Sequence, residues 1–239
     1  MTGVSTREFY EAGYALADPA EAERMGRWRA IGARSKAAHV RTLLQRAALT
    51  PATIAEIGCG DGSLLAELSG LATVDGFELS ENAARFARQR RVARRVDAFD
   101  GERVPAADDE YDVAVLSHVL EHVPDPLPLL KEAARVAGHV IVEVPLEDNR
   151  SARRPAARRL SEAAGHLHAW NRADVQRLMR EAGMTVRDEI SDPLSYELVS
   201  FFSGAMKGVA KYATRRALHT LGVAERLFTV HYAVLATRG

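Results

Sequence analysis

A doubly wound α/β fold is what this 239-residue sequence predicts, and three observations predict it. Short runs that are apolar throughout recur between residues 53 and 145. Helical patterns separate them. The first run ends in glycines at alternate positions, Gly58, Gly60 and Gly62, directly before a helical segment. Strands that are apolar on both faces belong in a parallel sheet covered by helices on both sides. A glycine loop between the first strand and the first helix is where such a sheet meets a ligand.

Each element follows from its residues. Residues 6–49 are charged and Ala-rich, with Val40, Leu43, Leu44 and Ala47 at helical spacing. That spacing predicts two or three helices, broken near Asp18–Pro19 and ending before Pro51. TIAEIG is a strand, SLLAEL a helix and ATVDGFEL a second strand. SENAARFARQRR is a helix with Ser80 as N-cap and Glu81 in its first turn. ARRVDAF is a weaker third strand, YDVAVLS a strong fourth and HVIVEVP a fifth. The stretch EDNRSARRPAARRLSEAAGHLHAW is irregular and basic, and its RSARRPAARRL part reads as a surface loop. NRADVQRLMREAG is a helix between Asn171 as N-cap and Gly183 as stop. MTVRDEI and LFTVHYAVLATRG are the last two strand-like segments. Residues 193–222 look helical, with Phe202, Met206, Val209, Ala213 and Ala217 on one face.

The resulting organisation is a helical arm or lid over 1–50, a core over 51–190, a helical substrate-side insertion over 191–227 and a final core strand over 228–239. Composition bounds the partners. Lys plus Arg and Asp plus Glu are both 32, so no basic excess points to nucleic acid. The single cysteine, Cys59, suits a reducing compartment, and no signal peptide or apolar membrane span is read, which predicts a cytoplasmic protein. In the glycine loop Cys59 reads as a small residue in a tight space.

Two ligand classes use such a loop. A dinucleotide wants G-x-G-x-x-G and a pyrophosphate against the helix N-terminus. Here Ser63 stands where the last glycine would fall, and Glu56 and Asp61 would repel a pyrophosphate. The same acids suit S-adenosylmethionine, which carries an ammonium and a sulfonium. Glu78, twenty residues after Gly58, can accept from both ribose hydroxyls, though NAD sites use the same device. Asp97 can accept from an adenine amine, with Phe99 against the ring.

The blocks AEIGCGDG, GFELS, VDAF, YDVAVLSHVLEHVPDP and GHLHAWNRADVQRLMREAG together resemble the class I S-adenosylmethionine-dependent methyltransferases, in their small-molecule branch. The resemblance covers about 53–190 and the last strand. It implies a mostly parallel seven-stranded sheet with an antiparallel last strand. It also implies that Glu56, Gly58, Gly60 and Gly62 line the methionine end and Glu78, with Leu79, the ribose. Asp97, Ala98 and Phe99 would line the adenine, and Ser117 and His118 would border methionine and substrate. The implied reaction moves a methyl group to an oxygen or nitrogen of a small-molecule acceptor, such as a natural product, sugar or glycan intermediate. An NAD-dependent oxidoreductase and a non-catalytic nucleoside-binding module are the competing readings, and a homodimer is left open.

A hydroxyl acceptor must lose a proton, and His118, His122, His166 and His168 are the candidate bases, His118 first because it leaves a strand at its carboxyl end. HVLEH matches the H-x-x-E-H zinc pattern. Pro124, Pro126 and Pro128 follow at once, so its helix would last about one turn, too short to hold two imidazoles on a metal. No metal is therefore expected there. Tyr10, Tyr14, Trp28 and Arg29 are read as a cover over the cofactor. Lys207, Lys211 and Arg215 form a basic row that reads as a solvated face or an anionic contact.

Overall fold

The computed structural model describes residue 11 and residues 19–239. The elements run α1 (Pro19–Arg46), β1 (Thr53–Ile57), α2 (Ser63–Leu68), β2 (Thr73–Glu78), α3 (Glu81–Gln89), β3 (Arg95–Ala98) and β4 (Tyr111–Ser117). A 3-10 turn at Leu120–His122 leads to α4 (Pro126–Val136), β5 (Ala137–Leu146), α5 (Pro155–Ala163), α6 (Arg172–Glu181) and β6 (Met184–Asp192). The chain ends with α7 (Tyr196–Ser203), α8 (Ala205–Thr220), α9 (Ala224–Leu227) and β7 (Val230–Arg238).

The strands form one seven-stranded sheet in the order β3-β2-β1-β4-β5-β7-β6. β3, β2, β1, β4 and β5 pair in parallel, and β7 runs antiparallel to both its neighbours. The order reverses between β1 and β4, the topological switch point where open α/β sheets bind ligands.

Each face of the sheet has its own core. On one face Ile54, Val113, Val115, Ile141 and Leu235 meet Ala33, Ala37, Val40 and Leu44 of α1, an i, i+4, i+7, i+11 stripe. On the other, Ile57, Leu116, Val142 and Val234 pack on Leu130, Ala133, Val175 and Met179. α3 and α6 carry the caps read from their sequences: Ser80 Oγ accepts from Ala83 N at 3.2 Å and Asn171 Oδ1 from Asp174 N at 3.0 Å.

One expectation is corrected. Residues 155–163, read as loop, form α5, because Pro155 opens a helix of good formers; none of its residues is buried, so no apolar stripe announced it. The stretch 193–222 is a helix pair, as its sequence reads, with Gly204 (φ 74°, ψ 158°) turning the chain between α7 and α8. In α8, Met206 and Val209 are exposed, so no buried stripe runs through them. In the N-terminal arm a helix runs from Pro19, at the expected break, to Arg46, before Pro51, and its inner face is core. Tyr10 and Tyr14 lie outside the described residues. No described helix is long and apolar enough to cross a membrane.

Candidate active site

The candidate cofactor residues sit at the carboxyl ends of the parallel strands β1 to β4. Gly58, Gly60 and Gly62 have φ of 78°, 55° and 74°, values that favour glycine. Space imposes a second constraint. A Cβ on Gly58 would lie 2.5 Å from Val119 Cγ2, and one on Gly62 would lie 3.0 Å from Ala87 of α3. The turn also brings the Gly60 N–H to Glu78 Oε2 at 2.8 Å, while Ser80 N donates to Oε1 at 2.9 Å. A carboxylate has about four acceptor positions, so Glu78 retains capacity for two ribose hydroxyls. Burial raises its pKa, against the backbone donors that lower it.

Glu56 is the more telling acid. It is buried at the end of β1, and its Oε2 has no hydrogen-bond partner among the described residues. Burial pushes its carboxyl well above the usual range; Lys36 opposes that shift, while Asp61 and Glu78 add to it. A cationic ligand here would supply the missing counter-charge. Ser117 Oγ, at the end of β4, is likewise buried and unpartnered among the described residues. Asp97 is partly exposed at the end of β3, 3.7 Å from Arg95 Nε. Leu79 and Ala98 are half-buried beside it, and Phe99 is sunk into the core with its N–H on Glu78 O at 2.9 Å.

Asp61 is answered by the chain itself. Arg29 Nε donates to Asp61 Oδ2 at 2.9 Å, Arg90 Nη2 donates to Asp61 Oδ2 at 3.2 Å and to Ser63 Oγ at 2.8 Å, and Ser63 N and Oγ both donate to Asp61 Oδ1. Its charge is spent on tying α1 and α3 to the glycine loop. Arg29 thus acts as a clamp on the loop.

A second part of the candidate site is a layer of imidazoles and carboxylates. His118 (φ 58°) follows β4 in the left-handed region, which turns its ring back between two acids. Its Nδ1 lies 3.3 Å from Glu121 Oε1 and its Nε2 lies 3.5 Å from Glu143 Oε1. Glu143 of β5 also meets His231 Nδ1 of β7 at 3.2 Å and His39 Nδ1 of α1 at 3.1 Å. Burial alone would raise Glu143; the His118, His231 and His39 imidazoles outweigh it and hold the carboxyl well below the usual range. Burial pushes His231 down to about 4, with His118 adding to the shift. Burial also opposes protonation of His39, but Asp192 and Glu143 lift it to about 10.

Across the layer, His122 Nδ1 lies 3.2 Å from Gly165 O, and its ring stands 4.8 Å from that of His166. His166 Nδ1 is 2.8 Å from Glu147 Oε2, which also accepts from Ser161 Oγ at 2.8 Å. His168 turns away onto Val123 O and stacks on Trp170. Two groups here have ligand atoms close enough to share a metal ion: His118, Glu143 and His231, and Glu121, His122 and His166. Sequence reasoning passed over Glu143, His231, His39 and Glu147. Glu143 and His231 carry a visible signal, a charged or imidazole residue inside an otherwise apolar run.

The sequence pattern of the methyltransferase domain matches residues 27–189. The chain belongs to the methyltransferase-domain family. Its cofactor is S-adenosylmethionine, which the buried acid, the cramped glycine turn and Glu78 fit. Among curated relatives, the ubiquinone biosynthesis O-methyltransferase of Thiobacillus denitrificans is 37% identical over 98 residues, 38% of this chain and 42% of that protein. The chain therefore spans less than half the length of that relative. A solved S-adenosylmethionine-dependent methyltransferase of Thermotoga maritima, described as a possible histamine N-methyltransferase, superposes with TM-score 0.62 at 19% identity, covering 98% of this methyltransferase and 100% of that chain. The geranyl diphosphate C-methyltransferase of Streptomyces coelicolor, solved with Mg2+, geranyl diphosphate and S-adenosyl-L-homocysteine, gives TM-score 0.58 at 16% identity over 80% and 73% of the two chains. The structural likenesses establish the seven-stranded fold, and the family match sets aside the nicotinamide reading.

Proposed function

We propose that this methyltransferase transfers the methyl group of S-adenosylmethionine to a hydroxyl oxygen of a small-molecule acceptor, with His166 as the base. The His166–Glu147 pair carries this reading. With a proton on Nδ1 directed at Glu147, the imidazole keeps its Nε2 lone pair for the acceptor, the arrangement by which a carboxylate fixes a catalytic tautomer. Burial lowers His166, but Glu147 outweighs it and raises the pKa above the ordinary value. His118, first in rank from sequence alone, has a carboxylate at each ring nitrogen, so its geometry favours it less. The O-methyltransferase names of the relatives support oxygen as the acceptor atom.

The sulfonium already activates the methyl. The protein's work is to hold the donor by its ammonium (Glu56) and ribose (Glu78), to exclude water and to take one proton. As the acceptor oxygen attacks in line, the hydroxyl proton passes to His166 Nε2. The C–S electron pair returns to sulfur, giving a neutral thioether. General-base assistance of this kind is worth about 10²–10⁴-fold. With labelled S-adenosylmethionine and a panel of phenols, sugar alcohols and amines, the label should appear as a methyl ether. His166→Ala should lower kcat about 100-fold or more while S-adenosylhomocysteine affinity stays within about threefold. The base works unprotonated, so kcat/KM should rise with pH through a value above about 6.5, the free-imidazole value. Glu147→Gln should move that limb downward. Methylation at nitrogen, or an active His166→Ala enzyme, would refute this reading.

A further inference from the structure

We infer that His118 Nε2, Glu143 Oε1 and His231 Nδ1 form a binding site for one divalent transition-metal ion, with Zn2+ the best match. The site shares only His118 with the H-x-x-E-H pattern in the sequence, whose Leu120–His122 part forms a 3-10 turn. Its donors come instead from the end of β4, from β5 and from β7, three strands that the sheet holds rigidly side by side.

Three observations converge. Ligand atoms bound at about 2.0–2.1 Å around a tetrahedral ion stand roughly 3.3 Å apart. Glu143 Oε1 lies 3.5 Å from His118 Nε2 and 3.2 Å from His231 Nδ1. Despite that proximity, each of the three atoms is buried with no aligned hydrogen bond to any described residue. Buried polar atoms are nearly always satisfied, and three orphans within 4.8 Å of one another call for a shared partner. The surroundings also orient the ligands. Glu143 Oε2 faces His39 Nδ1 at 3.1 Å, and His39 Nε2 faces Asp192 Oδ2 at 3.2 Å. Glu121 Oε1 stands at His118 Nδ1, where a proton would leave Nε2 its lone pair. Carboxylate-backed ligands of this kind are characteristic of metal sites. Two imidazoles and one carboxylate favour transition metals over Mg2+ or Ca2+. Three protein ligands leave an open position, as catalytic zinc sites do.

The metal site stands on its donors and does not depend on which acceptor is methylated. The test uses untagged protein stripped with chelator, then titrated with Zn2+ by calorimetry and with Co2+ by visible absorption, Mg2+ serving as comparator. Stoichiometric Zn2+ binding and an intense low-coordinate Co2+ spectrum are expected, with no Mg2+ response. Glu143→Gln and His231→Gln should abolish both signals while S-adenosylhomocysteine binding reports an intact fold. Should Glu143→Gln fail to fold, His231→Gln decides alone. His39→Ala should weaken Zn2+ by about 10–100-fold, and His166→Ala should leave it unchanged. Absence of stoichiometric Zn2+, or binding that survives His231→Gln and disappears with His122→Ala or His166→Ala, would overturn the assignment.

Discussion

The two ends of this sheet bury charge in opposite ways. At the amino end, Asp75 of β2 is almost wholly buried and fully answered: Arg94 and Arg95 pair with it, and Tyr111 Oη donates to it at 2.7 Å. Asp112 there accepts from Ala52 N and Thr53 N at 2.7 and 2.9 Å. At the carboxyl end, Glu56, Ser117, His118, Glu121, Glu143 and His231 are buried with polar atoms that lack aligned partners among the described residues. One end is finished by the chain itself. The other is complete only with something added, and local disagreement with the rules of burial marks a functional site.

The sharpest way to break that contrast is to remove one charge from each end. Asp75→Asn leaves Arg94 and Arg95 without their shared anion and should cost about 3 kcal/mol. In a domain of this size that lowers Tm by about 6–12 °C, measurable by calorimetry. The pairing also holds Asp75 below its ordinary pKa, against the burial that raises it. A depressed carboxylate stabilises above its unfolded value, about 3.9, and that contribution disappears as pH falls through the folded one. The gap between wild type and Asp75→Asn should therefore close in acid. Should the variant match wild-type Tm at neutral pH, the amino end would be no better satisfied than the other.

Glu56→Gln should do the reverse. The carboxyl is already raised by burial, so a neutral amide of equal size removes little that the ligand-free fold uses. Tm without ligand should stay within about 2 °C, the equivalent of roughly 0.5 kcal/mol. S-adenosylmethionine affinity should fall about 10–100-fold, the loss of a hydrogen bond to a charged group, as read by calorimetry. A variant that loses Tm and keeps affinity would make Glu56 structural.

The contrast also explains what could be read in advance. The cofactor half is contiguous: Glu56, the glycines, Glu78 and Asp97 each lie in a short stretch whose own residue order states the requirement. Doubled apolar runs gave the strands, and Ser80 and Asn171 marked the helix starts where the structure has them. The imidazole–carboxylate layer is assembled from α1, β4, β5, β7 and the segment before α6, so no stretch contains its pattern. Glu143 lies inside HVIVEVP and His231 inside TVHYAVLA, where an isolated polar residue is easily read as facing solvent. Only the register, which sets His231 opposite Pro145 and Asp192, puts both on one face. The arginine partners of Asp61 were hidden for a related reason: Arg29 and Arg90 are 32 and 29 residues away.

The smallest effect belongs to the basic row of α8, which the structure divides. Arg215 turns inward, its Nε on Pro193 O at 2.7 Å and its guanidinium 4.1 Å above the Phe228 ring. Lys211 stays at the surface with Nζ on Ser203 Oγ at 2.8 Å, and Lys207 is exposed. A surface hydrogen bond of that kind contributes less than about 0.5 kcal/mol, whereas a buried guanidinium stacked on an aromatic ring contributes through packing as well as charge. Lys211→Ala should therefore shift Tm by less than about 2 °C, and Arg215→Ala by several times as much. Equal shifts would mean that the row is a single solvated face after all, as its i, i+4, i+8 spacing suggested, and that β7 does not depend on α8 for its start.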